Sequence, residues 1–259
     1  MKYSIDYDNF RVREEANGNY SFLNKTTQKI VFLNKTASYI FNNREINSLN
    51  ELVVKFKEKF KDISENELME DCKDILYKMN ALGIVSLEDM QEKVLQKVKI
   101  AGEEDYKIIS EFIKKSIKTK GILLCSSIDL NYYTSYAIRV RQFNNKEYNY
   151  MHFNNGVMDA LVTISSIASN SSYAISDIFI DNKNIDSTCN ILNEIFVYIF
   201  NITKNLAKIR IMIKENKESI NLINLFEKLN FKKEAILHKE YNNINLLVYS
   251  LFREDILDE

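Results

Sequence analysis

The sequence contains no proline, no tryptophan and only five glycines in 259 residues. Asn, Lys and Ile are abundant instead, a composition typical of a low-GC genome. Because glycine enters left-handed backbone conformations more readily than other residues, turns in this chain must be built from Asn, Asp and Ser. With five glycines in the whole sequence, a function that depends on a glycine-rich loop is therefore not expected.

Cysteine and histidine are also scarce. The three cysteines, Cys72, Cys125 and Cys189, are odd in number and widely spaced, so they give neither a disulfide framework nor a zinc-binding pattern. The only histidines are His152 and His238, and neither lies in a recognisable context for a serine triad. With so few thiol and imidazole ligands, we predict no metal site.

Long apolar runs and an excess of either charge are absent as well. Without a stretch of about 20 apolar residues, no transmembrane helix is predicted. The first residues, 1–6, show no apolar signal region and no cleavage site, so we expect a cytoplasmic protein. Lys plus Arg number 35 and Asp plus Glu 36, which argues against nucleic acid or an anionic membrane as a partner.

What is present is a hydrophobic fraction of 46%, enough for a sizeable core and for one large domain or two small ones. Residues 1–88 read as three short strands followed by three helices and a last short strand. Asn-Gly at 17–18 is a hairpin signal, 48–51 and 64–67 are capping boxes, and Gly83 is suited to a left-handed helix end. The predicted elements are strands 10–13, 20–23 and 29–33, helices beginning near 35, 49 and 65, and a strand at 84–87.

A polar stretch at 88–92 is the predicted boundary between domains 1–88 and 89–259. The second segment alternates strands and helices in a mixed α/β order. The region 122–156 is the hardest to interpret, and Gly121 is expected to end the helix before it. The predicted strands are 94–101, 136–143, 148–153, 159–168, 173–181, 208–213, 237–241 and 245–252, and the predicted helices are 103–118, 187–202 and 220–229.

The first segment resembles the PqqD-like family of peptide recognition elements. The resemblance is carried by Phe10-Arg-Val-Arg13, by Ile30-Val-Phe-Leu-Asn34-Lys-Thr-Ala37, and by Leu76-Tyr-Lys-Met-Asn-Ala-Leu-Gly83-Ile-Val85. It implies a winged-helix-like domain that binds the leader of a ribosomally made, post-translationally modified peptide (RiPP) as a strand added beside the third strand. The residues predicted to contact the peptide are Lys29, Val31, Leu33, Leu68, Asp71 and Ile75.

The second segment resembles the GNAT acyltransferases over 94–253, most clearly at 207–220 and in Leu225-Phe-Glu-Lys-Leu-Asn-Phe231. The resemblance implies an acyl-CoA co-substrate whose pyrophosphate lies on backbone N–H groups at a helix N-terminus. It assigns cofactor binding to Lys183, Ser187, Thr188 and Asn216. Catalysis is assigned to Asp177, as a general base with a pKa raised by burial, and to Tyr241 as an acid, with Asp181 and Tyr198 as lesser candidates.

Two departures from the family weaken that assignment. The loop at 183–188 lacks the family's glycines and places the carboxylate of Asp186 near the expected pyrophosphate. Phe226 occupies the position of the tyrosine that usually acts as general acid in the family, and a phenylalanine cannot protonate a leaving thiolate. Three interpretations stay open: an acyl-CoA-dependent N-acyltransferase acting on a precursor peptide, a catalytically degenerate scaffold or peptide chaperone, and an enzyme that takes its acyl group from a carrier protein. Other modification enzymes of the same pathway are possible partners.

Overall fold

The structure is a computed structural model and describes residues 1–26, 28–88, 96–127, 129–166, 171–181 and 184–257. The chain forms two compact units, Met1–Glu92 and Lys93–Glu259. The predicted division into 1–88 and 89–259 stays a prediction, because residues 89–95 lie outside the described part. No helix among the described residues has both the length and the apolar character needed to cross a bilayer.

The first unit combines two small sheets with three helices. Strands β2, β3 and β4 form an antiparallel sheet in that order, and β1 pairs with β5. The predicted strands and helices are confirmed with small shifts at their ends, whereas β1 was not predicted. The elements are β1 Lys2–Ile5, β2 Phe10–Glu14, β3 Tyr20–Asn24, β4 Ile30–Phe32, α1 Lys35–Asn42, α2 Leu49–Lys59, α3 Glu65–Ala81 and β5 Val85–Glu88.

Local side-chain chemistry explains where these helices begin and end. The side chains of Asn34 and Ser64 accept hydrogen bonds from the first turns of α1 and α3, as N-cap residues do. Ser48 makes no such side-chain bond, so the predicted capping box at 48–51 does not form. The N–H of Leu49 instead donates to the carbonyl of Met1. Gly83 has a φ of 76°, so the predicted left-handed residue lies after α3.

The second unit is a mixed α/β domain. Its main sheet has the strand order β12-β13-β11-β10-β9-β8-β6, with β7 on one edge of β10. β10 and β11 are neighbours that run parallel, and one of the candidate sites described below lies between these two strands. The elements are β6 Val98–Ile100, α4 Tyr106–Thr119, β7 Ile122–Leu124, α5 Ser135–Phe143, β8 Glu147–Asn154, β9 Val157–Ser166, β10 Ser172–Ile180, α6 Ile185–Ile202, β11 Lys208–Lys214, α7 Ile220–Lys228, β12 Lys232–Tyr241, β13 Ile244–Phe252 and α8 Glu254–Leu257.

Hydrophobic side chains cover both faces of this sheet. On one face Ile178 and Ile211 belong to a core with Phe196 of α6. On the other face Met151 and Phe179 belong to a core with Ile109 of α4. Because successive residues of a strand point to opposite faces, Ile178 and Phe179 enter different cores. The central strands are therefore buried from both sides.

One predicted strand of this unit is wrong. The alternation Ile-Arg-Val-Arg within 136–143 predicted a strand, but Ser135–Phe143 is helix α5. Thr134 caps it by accepting a hydrogen bond from the N–H of Ala137. The two arginines do not form a solvent face, since Arg139 bonds Glu103 and Arg141 bonds the buried Glu147, each at 2.6 Å.

Gly121 does not end helix α4 in the way expected. The residue with a left-handed conformation is Lys120, whose φ is 59°. A glycine is needed at 121 for a steric reason, because a Cβ at this position would lie 2.5 Å from the carbonyl oxygen of Ile180. The glycine is therefore placed where the backbone passes close to β10.

Candidate functional site

The outer edge of β4 is one candidate site. β4 pairs with β3 on one side and is the last strand of its sheet among the described residues. The carbonyl of Lys29 accepts a 2.9 Å hydrogen bond from the N–H of Asn24, and the N–H of Leu33 donates a 2.8 Å hydrogen bond to the carbonyl of Tyr20. Lys29 and Leu33 therefore direct these backbone groups toward β3. Since backbone groups alternate along an antiparallel strand, those of Ile30 and Phe32 face the open side.

The side chains alternate along β4 and the residue that follows it. Leu33, directly after β4, is only 6% exposed, whereas Ile30 is 56% exposed and Phe32 is 70% exposed. Large apolar side chains at this level of exposure on a free strand edge are suited to a second extended chain. Sequence reasoning missed Ile30 and Phe32, although the inward positions of Val31 and Leu33 imply that their neighbours point outward.

The structure brings four of the six predicted peptide contacts together. Val31, Leu33, Leu68 and Ile75 all belong to the hydrophobic core of the first unit, where Leu33 and Leu68 are buried and the other two are partly buried. Lys29 and Asp71 are exposed. The contacts of these six residues with a peptide remain predictions, and the buried pair acts in packing.

The second candidate site is a fork between β10 and β11. The two strands pair at Ser172–Lys208, Tyr173–Ile209 and Ala174–Arg210, and no pairing between them continues beyond this point in the described residues. β9 follows the opposite edge of β10 as far as Ile180. The edge of β10 that faces the fork is therefore open to another extended segment.

β7 occupies that edge. It pairs antiparallel with β10 through Leu124–Ile178 and Ile122–Phe179. The N–H of Ile180 donates a 2.9 Å hydrogen bond to the carbonyl of Gly121. Because β9 takes the other edge of β10, β7 lies on the side where β11 has diverged.

Asp177 lies at the inner end of the fork and is only 1% exposed. Its Oδ1 accepts hydrogen bonds from the N–H of Ser126 at 2.6 Å and from the hydroxyl of Tyr133 at 2.7 Å. Burial raises the pKa of Asp177, against the opposing effect of these hydrogen bonds. The direction is the one expected of a general base, and the catalytic role remains a prediction.

The N-terminus of α6 is capped by a side chain of the same chain. Asn184 caps the helix and accepts the N–H of Ser187 at 3.1 Å, so the cap is not Asp186. Asp186 instead forms a 2.7 Å ion pair with Lys228, whose hydrogen bond holds the pKa of Asp186 below its usual value. Thr188 is buried. Lys183, the basic residue predicted for the pyrophosphate, lies outside the described residues.

The remaining predicted residues are separated from Asp177. The side chain of Asn216 accepts from the N–H of Ser219 at 3.0 Å and so caps the turn after β11. Tyr241 ends β12, and both β13 and β11 lie between β12 and β10 in the sheet. Phe226 is fully buried with its ring 4.9 Å from that of Phe231. The structure therefore does not place Tyr241 on a strand next to Asp177.

No family model and no curated protein matches this chain. Among solved structures, it is similar to a chimera of the spermidine N-acetyltransferase SpeG from Vibrio cholerae and hSSAT, with 15% identity, coverage of 62% of this chain and 99% of that chain, and a TM-score of 0.49. A putative GNAT-family acetyltransferase from Desulfovibrio desulfuricans shows 8% identity over 60% and 98% of the two chains, with a TM-score of 0.46.

A GNAT-family acetyltransferase from Bacillus anthracis shows 12% identity over 61% of this chain and 96% of its own, also with a TM-score of 0.46. At these identities and TM-scores, the similarities establish neither an activity nor a substrate for this chain.

Two backbone N–H groups that the GNAT resemblance would make available to acyl-CoA are already bound within the chain. A thioester carbonyl polarised by a strand N–H needs a free donor on the open edge of β10, but the N–H of Ile180 is bound to Gly121. A pyrophosphate needs free N–H groups at the start of α6, where the N–H of Ser187 is bound to Asn184. Both donors are satisfied within the chain.

Proposed function

We propose that this protein binds the leader segment of a ribosomally made precursor peptide as a strand added to β4. We propose further that its second unit is a GNAT-like domain that works as a scaffold or peptide chaperone without acyl transfer from CoA. The observation that carries the proposal is the outer edge of β4, with Ile30 and Phe32 exposed beside it.

The chemistry of this edge favours an extended apolar peptide. Backbone groups of an edge strand pair with another backbone with little demand on its sequence. Ile30 and Phe32 add apolar surface, and each apolar side chain of this size contributes about 1.5–3 kcal/mol when fully buried. The partner is therefore expected to carry apolar residues at alternate positions.

The architecture of the second unit supports a GNAT-like domain. β11 and α7 overlap 207–220 and 225–231, the stretches that carry the resemblance, and β10 and β11 form a parallel pair that diverges within the sheet. The bound N–H groups of Ile180 and Ser187 favour the interpretation without acyl-CoA.

N-acylation of an amine of the core peptide is the competing function. One observation favours it, because Asp177 is a buried carboxylate with a raised pKa at the fork. Two sources of the acyl group, acyl-CoA and a carrier-protein thioester, belong to this alternative.

Fluorescence anisotropy with a labelled candidate leader, an extended synthetic peptide with apolar residues at alternate positions, tests the peptide site. Wild-type protein is expected to bind, and Phe32→Lys to weaken binding by about tenfold or more, because a charged side chain replaces apolar contact area. Lys29→Glu tests the predicted charge contact at the same edge. Phe143→Lys, which changes an equally exposed Phe on α5, is the matched control and should leave the affinity unchanged.

Equal affinity of the wild type and a folded Phe32→Lys would remove β4 as the binding edge. Release of free CoA from acetyl-CoA in the presence of the leader separates the two functions. We expect no sustained release, and steady release that depends on the leader would establish the N-acylation alternative instead.

A further inference from the structure

Residues 121–127, here named the fork segment, run along the open edge of β10. Their contacts follow β10 from its end to its middle: Gly121 accepts from Ile180, β7 pairs with Ile178 and Phe179, and the hydroxyl of Ser126 donates to the carbonyl of Ser176 at 3.1 Å. The segment therefore makes the bonds that an added strand would make.

Gly121 is fitted to this close approach. A Cβ there would lie 2.5 Å from the carbonyl oxygen of Ile180, a backbone atom that has no flexible end to move. Any larger residue at 121 must push the fork segment away from β10. The glycine is explained by space, and no left-handed conformation is involved.

A latch holds the other end of the segment. Asp177 accepts the N–H of Ser126, and Tyr133, which donates to the same carboxylate oxygen, accepts the N–H of Ser127 at 3.2 Å. The Oδ2 atom of Asp177 is buried and has no hydrogen-bond partner among the described residues.

We infer that the fork is a slot for an extended peptide backbone, that the chain's own fork segment fills it, and that Asp177 is the positioning residue that latches the segment in place. The ligand class of the slot is an extended apolar peptide, and acyl-CoA does not enter it while the segment is bound. The inference stands on the second unit alone and does not depend on leader binding at β4.

The full-length protein tests this with a labelled synthetic peptide of residues 120–127, measured by anisotropy, and with hydrogen exchange of the fork segment. Wild-type protein should show slow exchange at 121–127 and no peptide binding, because the tethered segment occupies the slot. Gly121→Val should speed exchange there and bind the peptide, with an affinity about tenfold or more above the detection limit at which the wild type shows no binding, since the internal competitor is weakened. Glu58→Gln, which breaks an exposed ion pair with Lys55 in the first unit, should behave as the wild type.

Two results would overturn the inference. One is a Gly121→Val protein that releases the segment and still fails to bind the peptide, which would show that the fork accepts no added strand. The other is wild-type binding of acetyl-CoA with exchange at 121–127 unchanged, which would show that the segment does not exclude it. If Gly121→Val fails to fold, as judged by circular dichroism, Asp177→Ala opens the latch and is judged by the same two measurements.

Discussion

The hydroxyl of Tyr133 lies 2.7 Å from Oδ1 of Asp177 and donates a hydrogen bond to it, although 44 residues separate the two in sequence. Both residues are almost fully buried, and the ring of Tyr133 packs edge-on against Phe179 at 5.5 Å. One phenol therefore joins the 3₁₀ turn at Leu130–Tyr133 to the centre of the sheet.

Replacing this tyrosine should destabilise the second unit. Tyr133→Phe removes the donor to a buried carboxylate, and a lost hydrogen bond to such a group costs about 1–3 kcal/mol in the free energy of unfolding. Urea unfolding followed by circular dichroism measures it. Tyr136→Phe, at an exposed position on α5, is the control. No difference between the two variants would contradict the role given to the Tyr133 hydroxyl.

His152 is expected to make stability depend on pH. Burial lowers its pKa, but hydrogen bonds to Asp159 at 2.5 Å and Glu194 at 3.1 Å outweigh burial, and the net pKa is raised. Because the folded pKa lies above the unfolded value of about 6.5, the stabilisation is complete below that pH and is lost as pH rises through the folded pKa.

The advantage of the wild type over His152→Gln in unfolding free energy should therefore be largest near pH 6 and shrink on going to alkaline pH. NMR titration of the imidazole measures the same effect directly. His238→Gln, which removes an exposed imidazole, should not reproduce the loss of pH dependence. A His152 midpoint below that of an unfolded peptide would refute the assignment.

Phe226→Tyr, which introduces the tyrosine that the GNAT resemblance leads one to expect, should not produce acetyltransferase activity. Phe226 is fully buried, so Phe226→Tyr places a hydroxyl in an apolar core at a cost of about 1–3 kcal/mol. We expect a lower melting temperature and no CoA release from acetyl-CoA. Phe143→Tyr, at an exposed position, should leave the melting temperature unchanged. A gain of turnover in Phe226→Tyr would contradict the scaffold interpretation.

The ion pair of Glu147 with Arg141 should matter for stability more than surface pairs do. Glu147 accepts from Arg141 at 2.6 Å and from the Tyr132 hydroxyl at 2.7 Å, and it is buried. Glu147→Gln leaves the arginine without a counter-charge, which costs about 3–5 kcal/mol for a buried pair. Glu58→Gln, which breaks an exposed pair with Lys55, should give no measurable change in the same chemical unfolding experiment.

Much of the fold follows from local sequence chemistry. Asn34 and Ser64 mark helix starts because their side chains accept first-turn N–H groups. The helix at 135–143 could not be recognised, because the partly buried ion pair that satisfies the buried Arg139 involves Glu103, 36 residues away. An alternating arginine pattern indicates a strand only when the arginines face solvent.

The site was predicted less well than the fold, for a related reason. Asp177 was selected as a buried carboxylate on the central strand, and its burial is confirmed. Its contact with Ser126 was not predicted, because Ser126 follows β7, a strand of only three residues, and Asp177 lies 51 residues further along the chain. A short strand forms because of the strands it pairs with, and the local pattern of apolar residues does not show which distant residues those are.

The exposed edge of β4 also bears on how the protein behaves in a concentrated solution. A second molecule presents the same backbone groups and the same two apolar side chains, Ile30 and Phe32, in an orientation that suits antiparallel pairing with the first. We therefore expect self-association to compete with the peptide for this edge. The apparent peptide affinity should then fall as the protein concentration rises, and Phe32→Lys should keep the protein monomeric at concentrations where the wild type dimerises.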